Sequence, residues 1–235
     1  MQENGIRINK YLSEAGVCSR READRQIELG NVSIDGKTAE TGARVFEGQT
    51  VCYCGKPVSK EQEMILLAFH KPVGIVCTAE KREKNNVIDY LKYPKRIYPV
   101  GRLDKDSEGL LLMTNNGEIV NKIMRAGNRH EKEYLVTVNK PVTDSFIRGM
   151  AGGVPLVELG TQTRKCKVEK TGKRQFRIIL TQGLNRQIRR MCEYFGYQVV
   201  KLKRIRIMNI TLGDLPSGNY REVSREEQEE LYRRI

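Results

Sequence analysis

The chain has 235 residues, with 42 Lys and Arg against 29 Asp and Glu, and a formal net charge of +13. This length fits one large core, or one core with a small additional domain. Such an excess of positive charge favours a nucleic acid as partner, because each phosphate neutralised by Lys or Arg releases counterions. No apolar run approaches the ~20 residues that a membrane helix needs, and the N-terminus has no secretory pattern, so we expect a cytoplasmic protein without a membrane partner.

The first predicted elements form a small module over residues 6–54. The stretch IRINKYLSEAG has apolar residues at helical spacing and ends in a glycine that can stop the helix. Ser19 and Glu22 form a capping box, which predicts a second helix beginning at Arg20. The Asp-Gly pair at 35–36 predicts a hairpin turn, and a further short strand follows in QTVCYC.

Three arginines lie on the expected solvent side of the second helix, Arg20, Arg21 and Arg25. This pattern suits a module that binds an RNA backbone, and equally an ordinary small domain with a solvated face. The stretch INKYLSEAGVCSRREADRQIELGNVSIDGK resembles the S4 RNA-binding domain along nearly the whole module. The resemblance implies that these arginines and the neighbouring turns bind folded RNA through its phosphates and shape. We expect this domain and its linker to span 1–58, with a polar linker at 55–63.

Strands and helices follow one another in residues 59–235, the expected second domain. Strands are predicted in MILLAF, IVCT, RIYPV, EYLVTV, QFRIIL and VVKLKRIRIMNI. Helices are predicted in GEIVNKIMRAG, TDSFIRGM, NRQIRRMCEYFG and SREEQEELYRRI. Because strands outnumber helices and hairpin-like spacings recur, we expect an α+β fold in which this mixed α/β domain has a mostly antiparallel sheet.

Histidine and cysteine offer little material for catalysis or for a metal site. The chain has two histidines and six scattered cysteines. Only Cys52 and Cys54 lie close together, at a spacing shorter than that of structural zinc sites. We therefore expect no metal, reduced cysteines, and chemistry that depends on carboxylate, Tyr, Arg or Lys side chains.

Three places are candidates for that chemistry. A charged cluster at 102–108 directly precedes the apolar run GLLLMT, which is a predicted buried strand. Tyr134 lies in a predicted strand. The stretch GLNRQIRRM carries arginines at the start of a predicted helix. Each place also has an ordinary interpretation: Asp104 could cap a turn, Tyr134 could belong to the core, and the arginines could form a solvated helix face.

A second resemblance distinguishes between these interpretations. The stretch GRLDKDSEGLLLMTNNGEIVNKI resembles the signature of the RsuA-type pseudouridine synthases, and HKPVG, KEYLV and GLNRQIRRMCEYFGYQV match the other motifs of that family in the same order. With the S4-like module, the resemblance covers essentially the full chain. The stretch RAGNRHEKEYLVTVNKPVTDSFIRGMAGGVP is similar to members that act on large-subunit ribosomal RNA. The chain stops at Ile235, without the long basic tail of some members, which leaves RNA affinity that depends on such a tail an open question.

The resemblance implies a role for each candidate. Asp104 would be the catalytic carboxylate in the isomerisation of uridine to pseudouridine, which needs no cofactor because no redox change occurs. Arg189 would pair with Asp104 and keep it ionised in a closed pocket. Tyr134 would stack on the flipped uracil, and Arg102 would fill the space that the base leaves. RNA contacts are further expected from Arg186 and Arg190. In the basic strand at 199–210, phosphates or a solvated edge are expected to be served by Lys201, Lys203, Arg204 and Arg206.

Two alternatives remain open in the sequence. The same chemistry could act on small-subunit ribosomal RNA or on a transfer RNA. The chain could also be a non-catalytic ribosome-assembly factor that binds RNA through its S4-like module. Intact Asp104, Tyr134 and Arg189 favour the enzyme, since a pure binder has no need to combine them. We expect a monomer whose main partner is 23S ribosomal RNA.

Overall fold

A computed structural model describes residues 5–59, 63–80 and 82–235. The chain forms two compact units. The first contains the described residues up to Ile65 together with Tyr93–Ile97 and Asn115–Gly117. The second contains Leu66–Lys92, Tyr98–Thr114 and Glu118–Ile235. The linker predicted at 55–63 falls partly on residues 60–62, which lie outside the described residues.

The first unit combines two helices with short strands. Its helices are α1 (Ile8–Glu14) and α2 (Arg20–Glu28), and its strands are β1 (Ile6–Arg7), β2 (Val32–Ile34), β3 (Lys37–Thr38), β4 (Arg44–Val45), β5 (Val51–Tyr53) and β6 (Lys56–Val58). Strands β1 and β4 form one antiparallel pair, and the order β3-β2-β5-β6 forms a second sheet. Leu12 of α1 and Ala23 of α2 lie fully buried in the core between helices and sheet.

The predicted start of α2 is confirmed, together with the Ser19 half of the predicted capping box. The Ser19 hydroxyl accepts a hydrogen bond of 3.2 Å from the Glu22 backbone N–H, and the helix begins at Arg20. The predicted hairpin at Asp35-Gly36 is also present, with positive φ at both residues. The prediction that the polar linker begins at residue 55 is wrong, because Lys56–Val58 forms a strand that pairs with β5 across a turn at Cys54-Gly55.

The remaining helices are α3 (Val87–Leu91), α4 (Gly117–Met124), α5 (Asp144–Gly152), α6 (Gln187–Tyr194) and α7 (Arg225–Arg234). The remaining strands are β7 (Leu66–Lys71), β8 (Tyr98–Pro99), β9 (Glu108–Thr114), β10 (Lys132–Val138), β11 (Pro155–Leu156), β12 (Thr161–Gln162), β13 (Lys167–Gly172), β14 (Gln175–Leu180), β15 (Val199–Ile207), β16 (Ile210–Thr211) and β17 (Tyr220–Glu222). Two 3-10 helices, Ala126–Asn128 and Val157–Leu159, complete the described elements.

One large sheet organises the second unit. Its strands follow the order β13-β14-β10-β15-β9-β7-β17, with β16 added at β15 and β8 at β9. All of its pairings are antiparallel except the one between β9 and β15, which is parallel. The prediction of an α+β chain with a mostly antiparallel sheet is therefore confirmed. The predicted strand IVCT is wrong, because it contributes only a single bridge between Val76 and Asn86.

Helices α5 and α6 cover one face of this sheet. Phe146 of α5 packs against Phe176 of β14, with ring centroids 5.3 Å apart. From α6, Ile188, Met191 and Cys192 are buried in the same cluster, as their helical spacing predicted. These contacts hold α6 firmly against the strands that carry the candidate site.

The parallel pairing depends on a glycine at the start of β9. Gly109 pairs with Arg204 of β15 and has a φ of +110°. A Cβ atom at this position would lie 2.2 Å from the Arg204 carbonyl oxygen. Any larger residue would therefore separate β9 from β15 next to the charged loop that precedes β9.

No helix among the described residues is long and apolar enough to cross a membrane.

Candidate active site

The loop that carries Asp104 lies between β8 and β9 and is held by the turn after β7. The Gly74 N–H donates to the Lys105 carbonyl over 2.8 Å, and the Ser107 N–H closes a turn on the Asp104 carbonyl over 3.1 Å. The Leu103 N–H donates to the Cys77 Sγ over 3.4 Å. The motifs HKPVG and GRLDKDSEG therefore form one structure, and the Asp104 carboxylate stands on a braced, partly exposed turn.

A buried lysine supports this turn from behind. Lys71 at the end of β7 is fully buried, and its Nζ donates to the carbonyls of Pro72 and Ser107, each over 2.8 Å. Burial lowers the pKa of Lys71, and the nearby Asp104 and Asp106 carboxylates partly oppose that effect. Lys71 thus places a positive charge close to Asp104 while it fixes the loop backbone. The sequence interpretation did not include this residue.

Arg189 of α6 reaches the same loop, but not in the predicted way. Its Nη2 donates to the Asp106 carbonyl over 2.9 Å, and its Nη1 donates to the Val199 carbonyl over 3.3 Å. Asp104 and Arg189 do not form an ion pair in the described part of the chain. The prediction that Arg189 pairs with the Asp104 carboxylate is therefore wrong. Arg189 instead bonds the backbone carbonyl of Asp106, two residues further on. Arg189 is 9% exposed and connects the loop, α6 and β15.

Asp104 and Tyr134 line one pocket of about 670 Å³. Tyr134 of β10 is partly buried and packs against the main core cluster, so its ring is held in place. Arg102 and Arg186 also line the pocket and are exposed. Arg186 adopts a left-handed conformation just before α6, with φ of +50°, so it is not a helical residue as the sequence suggested.

Two further cations in the pocket wall were not identified as site residues from the sequence. Lys132 of β10 is 6% exposed, and Arg204 of β15 is 2% exposed. The Arg204 Nε donates to the Leu110 carbonyl over 2.7 Å. The expectation that the whole basic strand faces phosphates or solvent is therefore wrong for Arg204. Its neighbour Arg206 is paired with Glu133, with Nε 2.6 Å from the carboxylate.

The other predicted RNA contacts lie outside the pocket. Arg190 bonds to Glu158 and to the Asn185 carbonyl, the latter over 3.2 Å. On α2 of the first unit, Arg20, Arg21 and Arg25 are exposed, as predicted. The structure therefore brings together Asp104, Tyr134, Arg102, Arg186 and Arg189, and leaves the remaining four arginines elsewhere. Among the described residues, no three His, Cys, Asp or Glu side chains are grouped as potential metal ligands.

The comparison with known proteins agrees with this geometry. Residues 65–194 match the family described as RNA pseudouridylate synthase, and residues 6–51 match the S4 domain. The chain belongs to the RNA pseudouridylate synthase family. Both resemblances inferred from the motifs are thereby confirmed. As a member of this family, the chain is an isomerase that acts on RNA.

Individual relatives cover the full chain. The dual-specificity RNA pseudouridine synthase RluF of Salmonella typhi is 55% identical over 237 residues, which span all of this chain and 81% of the relative. The ribosomal large subunit pseudouridine synthase B of Bacillus subtilis is 35% identical over 96% of this chain and 95% of its own. A crystal structure of a pseudouridylate synthase superposes with a TM-score of 0.71 at 27% identity, covering 96% of this chain and 99% of the other.

Proposed function

We propose that this enzyme converts a specific uridine of 23S ribosomal RNA to pseudouridine, with Asp104 as the catalytic carboxylate. The observation that carries the proposal is the placement of Asp104 on a braced turn in a pocket that also holds the ring of Tyr134. A relative at 35% identity is named as a large-subunit enzyme, which supports the choice of ribosomal RNA. An enzyme with this substrate works where ribosomes are assembled, so we place it in the cytoplasm.

The reaction explains why a carboxylate stands at this position. Uracil must leave C1′ of the ribose, turn, and rejoin through C5. A fixed carboxylate can attack as a nucleophile, stabilise positive charge at C1′, or remove a proton from the sugar. Each route requires Asp104 to be ionised and held still, and the bonds from Lys71 and Arg189 to the loop backbone provide the second condition.

The remaining pocket residues suit a uridine that has left its stack. The Tyr134 ring offers a flat surface for the extruded uracil, an interaction of about 1–3 kcal/mol per base. Arg102 stands exposed at the pocket, where it can occupy the space that the base leaves. Arg186 is exposed beside it and can meet a phosphate. Arg190 would have to exchange Glu158 for a phosphate to take part.

We also propose a division of labour between two domains, an RNA-binding domain and linker at 1–58 and a catalytic domain at 59–235. The matched ranges 6–51 and 65–194 support it. The exposed arginines of α2 are the proposed contacts to folded RNA. Binding of folded RNA by these arginines would help to place the pocket over one uridine.

A substitution at Asp104 tests the proposed function. Asp104→Asn keeps the shape of the side chain but removes its negative charge and its nucleophilic oxygen. Pseudouridine formation on a 23S ribosomal RNA fragment should fall to background, while filter binding shows an RNA affinity within about threefold of the wild type. Asp106→Asn is the matched control, because it removes the same charge from an exposed residue of the same loop and should keep most activity.

Two results would contradict the proposal. Substantial isomerisation by Asp104→Asn would mean that another group carries the chemistry, and Asp106 would then be the first candidate. A wild-type enzyme that binds the fragment but modifies no uridine would instead favour a non-catalytic assembly factor.

A second RNA class is a further candidate substrate. Relatives at 54–55% identity are named dual-specificity RNA pseudouridine synthases. We propose transfer RNA as that second class for this chain. Pseudouridine mapping of both ribosomal and transfer RNA, from cells with and without the gene, would decide. A transfer RNA profile that does not change would rule out the second class.

A further inference from the structure

Two buried cations, Lys132 and Arg204, lie in the wall of the pocket. Lys132 and Arg204 are both almost fully buried, and neither lies within 4 Å of a carboxylate in the described part of the chain. The Arg204 Nη2 is buried without a hydrogen-bond partner. Among the described residues, the one hydrogen bond of the Lys132 Nζ is a long one of 3.5 Å to the His130 carbonyl. Buried cations are normally paired, so two unpaired ones in one wall indicate a ligand that supplies negative charge.

The sheet places both cations next to Tyr134, one on the same strand and one on the neighbouring strand. Tyr134 pairs directly with Arg204 on the neighbouring strand β15, and adjacent strands lie about 4.8 Å apart. Lys132 precedes Tyr134 by two residues, so both side chains project from the same face of β10. All three residues line the pocket that contains Asp104. A base stacked on Tyr134 would therefore present its edges to both cations.

We propose that Lys132 and Arg204 stabilise the negative charge that develops on uracil when its bond to the ribose breaks. The inference rests on the proposed function. It assigns Lys132 and Arg204 to the base, whereas Asp104 is assigned to the sugar. Donors placed in advance where charge develops are among the strongest contributions that an enzyme can make, because a water-excluded site strengthens them.

The step balances without any further reactant. When the C1′–N1 bond breaks, its electron pair stays on the base, and uracil becomes an anion whose charge is shared by N1, O2 and O4. After the base turns, C5 uses an electron pair of the anion to attack C1′. The proton on C5 then leaves to a base, and N1 gains one proton. Lys132 and Arg204 hold the anion through its oxygens between the two bond changes.

The titration of Lys132 supports this arrangement and supplies a readout. Burial, reinforced by the charge of Arg204, lowers the pKa of Lys132 from its usual 10.5 to about 8. Across the adjoining strand β14, the residue opposite Lys132 is the uncharged Leu180. The other charged and titratable side chains of the pocket are Arg102, Asp104, Lys105, Asp106, Arg186 and Cys77. Of the charged groups around Lys132, Arg204 is the one that shifts its pKa.

The test compares Lys132→Met with Lys132→Arg, in single turnovers at saturating enzyme on a 23S ribosomal RNA fragment. Lys132→Met should slow the reaction about 100-fold, with RNA affinity within about threefold of the wild type. Lys132→Arg should keep most of the rate, because it retains a cation. Lys170→Met is the matched control, since Lys170 is exposed on β13 outside the pocket and should react like the wild type.

The pH dependence of kcat/KM distinguishes an effect of the charge on Lys132 from an effect of its shape. For the wild type, kcat/KM should decline as pH rises through about 8, the pKa of Lys132 in the unbound enzyme. The decline should be absent in Lys132→Arg, which stays protonated at every pH used. A wild-type profile without this decline, or the same decline in Lys132→Arg, would overturn the proposal.

Thermal unfolding excludes a purely structural role. The folded state binds the Lys132 proton more weakly than the unfolded state, so a charged Lys132 destabilises the fold below its folded pKa. Lys132→Met should therefore raise Tm at neutral pH, and its advantage should shrink between about pH 8 and 10.5. A Tm below that of the wild type at neutral pH would indicate a structural role and overturn the proposal.

Four outcomes of the kinetic assay are distinct. A slow Lys132→Met with unchanged affinity supports the inference. A Lys132→Met that reacts at the wild-type rate overturns it and leaves the proposed function intact. A Lys132→Met that loses affinity but keeps its rate also overturns it, because Lys132 would then bind a phosphate. A wild type that forms no pseudouridine contradicts the proposed function itself.

Discussion

The exposed arginines of α2 and the buried arginines of the second unit show two opposite uses of one side chain. Arg20, Arg21 and Arg25 are exposed, and the ion pair between Arg25 and Glu22 is long, at 3.9 Å. Arg189 and Arg204 are buried and donate to backbone carbonyls at 2.9 and 2.7 Å. The first group can meet a variable RNA backbone, whereas the second bonds the protein's own backbone, Arg189 at the Asp104 loop and Arg204 at β9. A net charge of +13 alone does not separate the two uses.

The difference lies in solvation. An exposed guanidinium stays hydrated, so its removal costs the fold little and changes mainly the attraction to phosphate. A buried guanidinium has lost its water, so the carbonyls that replace the water become part of the structure. Substitutions should therefore affect stability and turnover in the sheet, and affinity and salt dependence in α2. Three experiments test this contrast.

The largest effect on stability is expected from Gly109→Ala, because Gly109 pairs with Arg204 where β9 and β15 meet. The added Cβ would meet the Arg204 backbone at 2.2 Å, in a conformation that L residues rarely adopt. We expect a loss of at least ~3 kcal/mol in the free energy of unfolding, measured in urea. Gly127→Ala is the control, since its Cβ would meet no atom within 4 Å. Equal stability of the two variants would contradict the tight β9–β15 contact.

Arg189→Lys should have the next largest effect, and mainly on turnover. One ammonium cannot reproduce the two separate nitrogens that bond the Asp106 and Val199 carbonyls. A small displacement of the loop misplaces Asp104, so we expect a loss of about 100-fold in single-turnover rate. Arg190→Lys on the same helix should stay close to wild type. If Arg189 acts only through Asp104, adding Arg189→Lys to Asp104→Asn should change little further.

The smallest effect on the fold is expected in α2. Replacing Arg20, Arg21 and Arg25 together by Gln should leave Tm unchanged, because all three are exposed. RNA affinity should fall, and the slope of log affinity against log salt should become shallower by about 0.7–0.9 per lost phosphate contact. An unchanged slope would exclude α2 as an RNA contact. Point variants are sharper than deleting 1–58, because the first unit also contains Tyr93–Ile97 and Asn115–Gly117.

Local signals made much of the fold predictable. The Ser19–Glu22 pair placed the start of α2, and α7 was placed by its helical pattern and begins at a complete capping box, with Ser224 and Glu227 bonded to each other's backbone. The Asp35-Gly36 turn and the buried strand after the charged loop followed from residue types alone. Pairings between distant segments had no local signal. The parallel contact of Gly109 with Arg204, and the edge strand β17, join segments far apart in sequence.

The site was predictable where long motifs carry it, and not where register decides it. Asp104 and Tyr134 were identified from motif resemblance. The burial of Arg204 was not predicted because its strand also carries Lys201, Lys203 and Arg206, a pattern typical of an exposed basic strand. A register shift between Glu133 and Tyr134 relative to β15 determines which of its residues face the pocket. A bulge of this kind depends on the partner strand, so the sequence of β15 alone does not reveal it.

The position of β17 has a consequence for the order in which the protein can fold during synthesis. β17 pairs with β7, whose six residues are all buried, and so covers the edge of an apolar strand made 150 residues earlier. A nascent chain exposes that unpaired edge until Tyr220–Glu222 have left the ribosome, whereas the strands of the first sheet, β2, β3, β5 and β6, lie within about 30 residues of one another. The RNA-binding sheet can thus form early, and the catalytic sheet closes only after Tyr220–Glu222 have emerged.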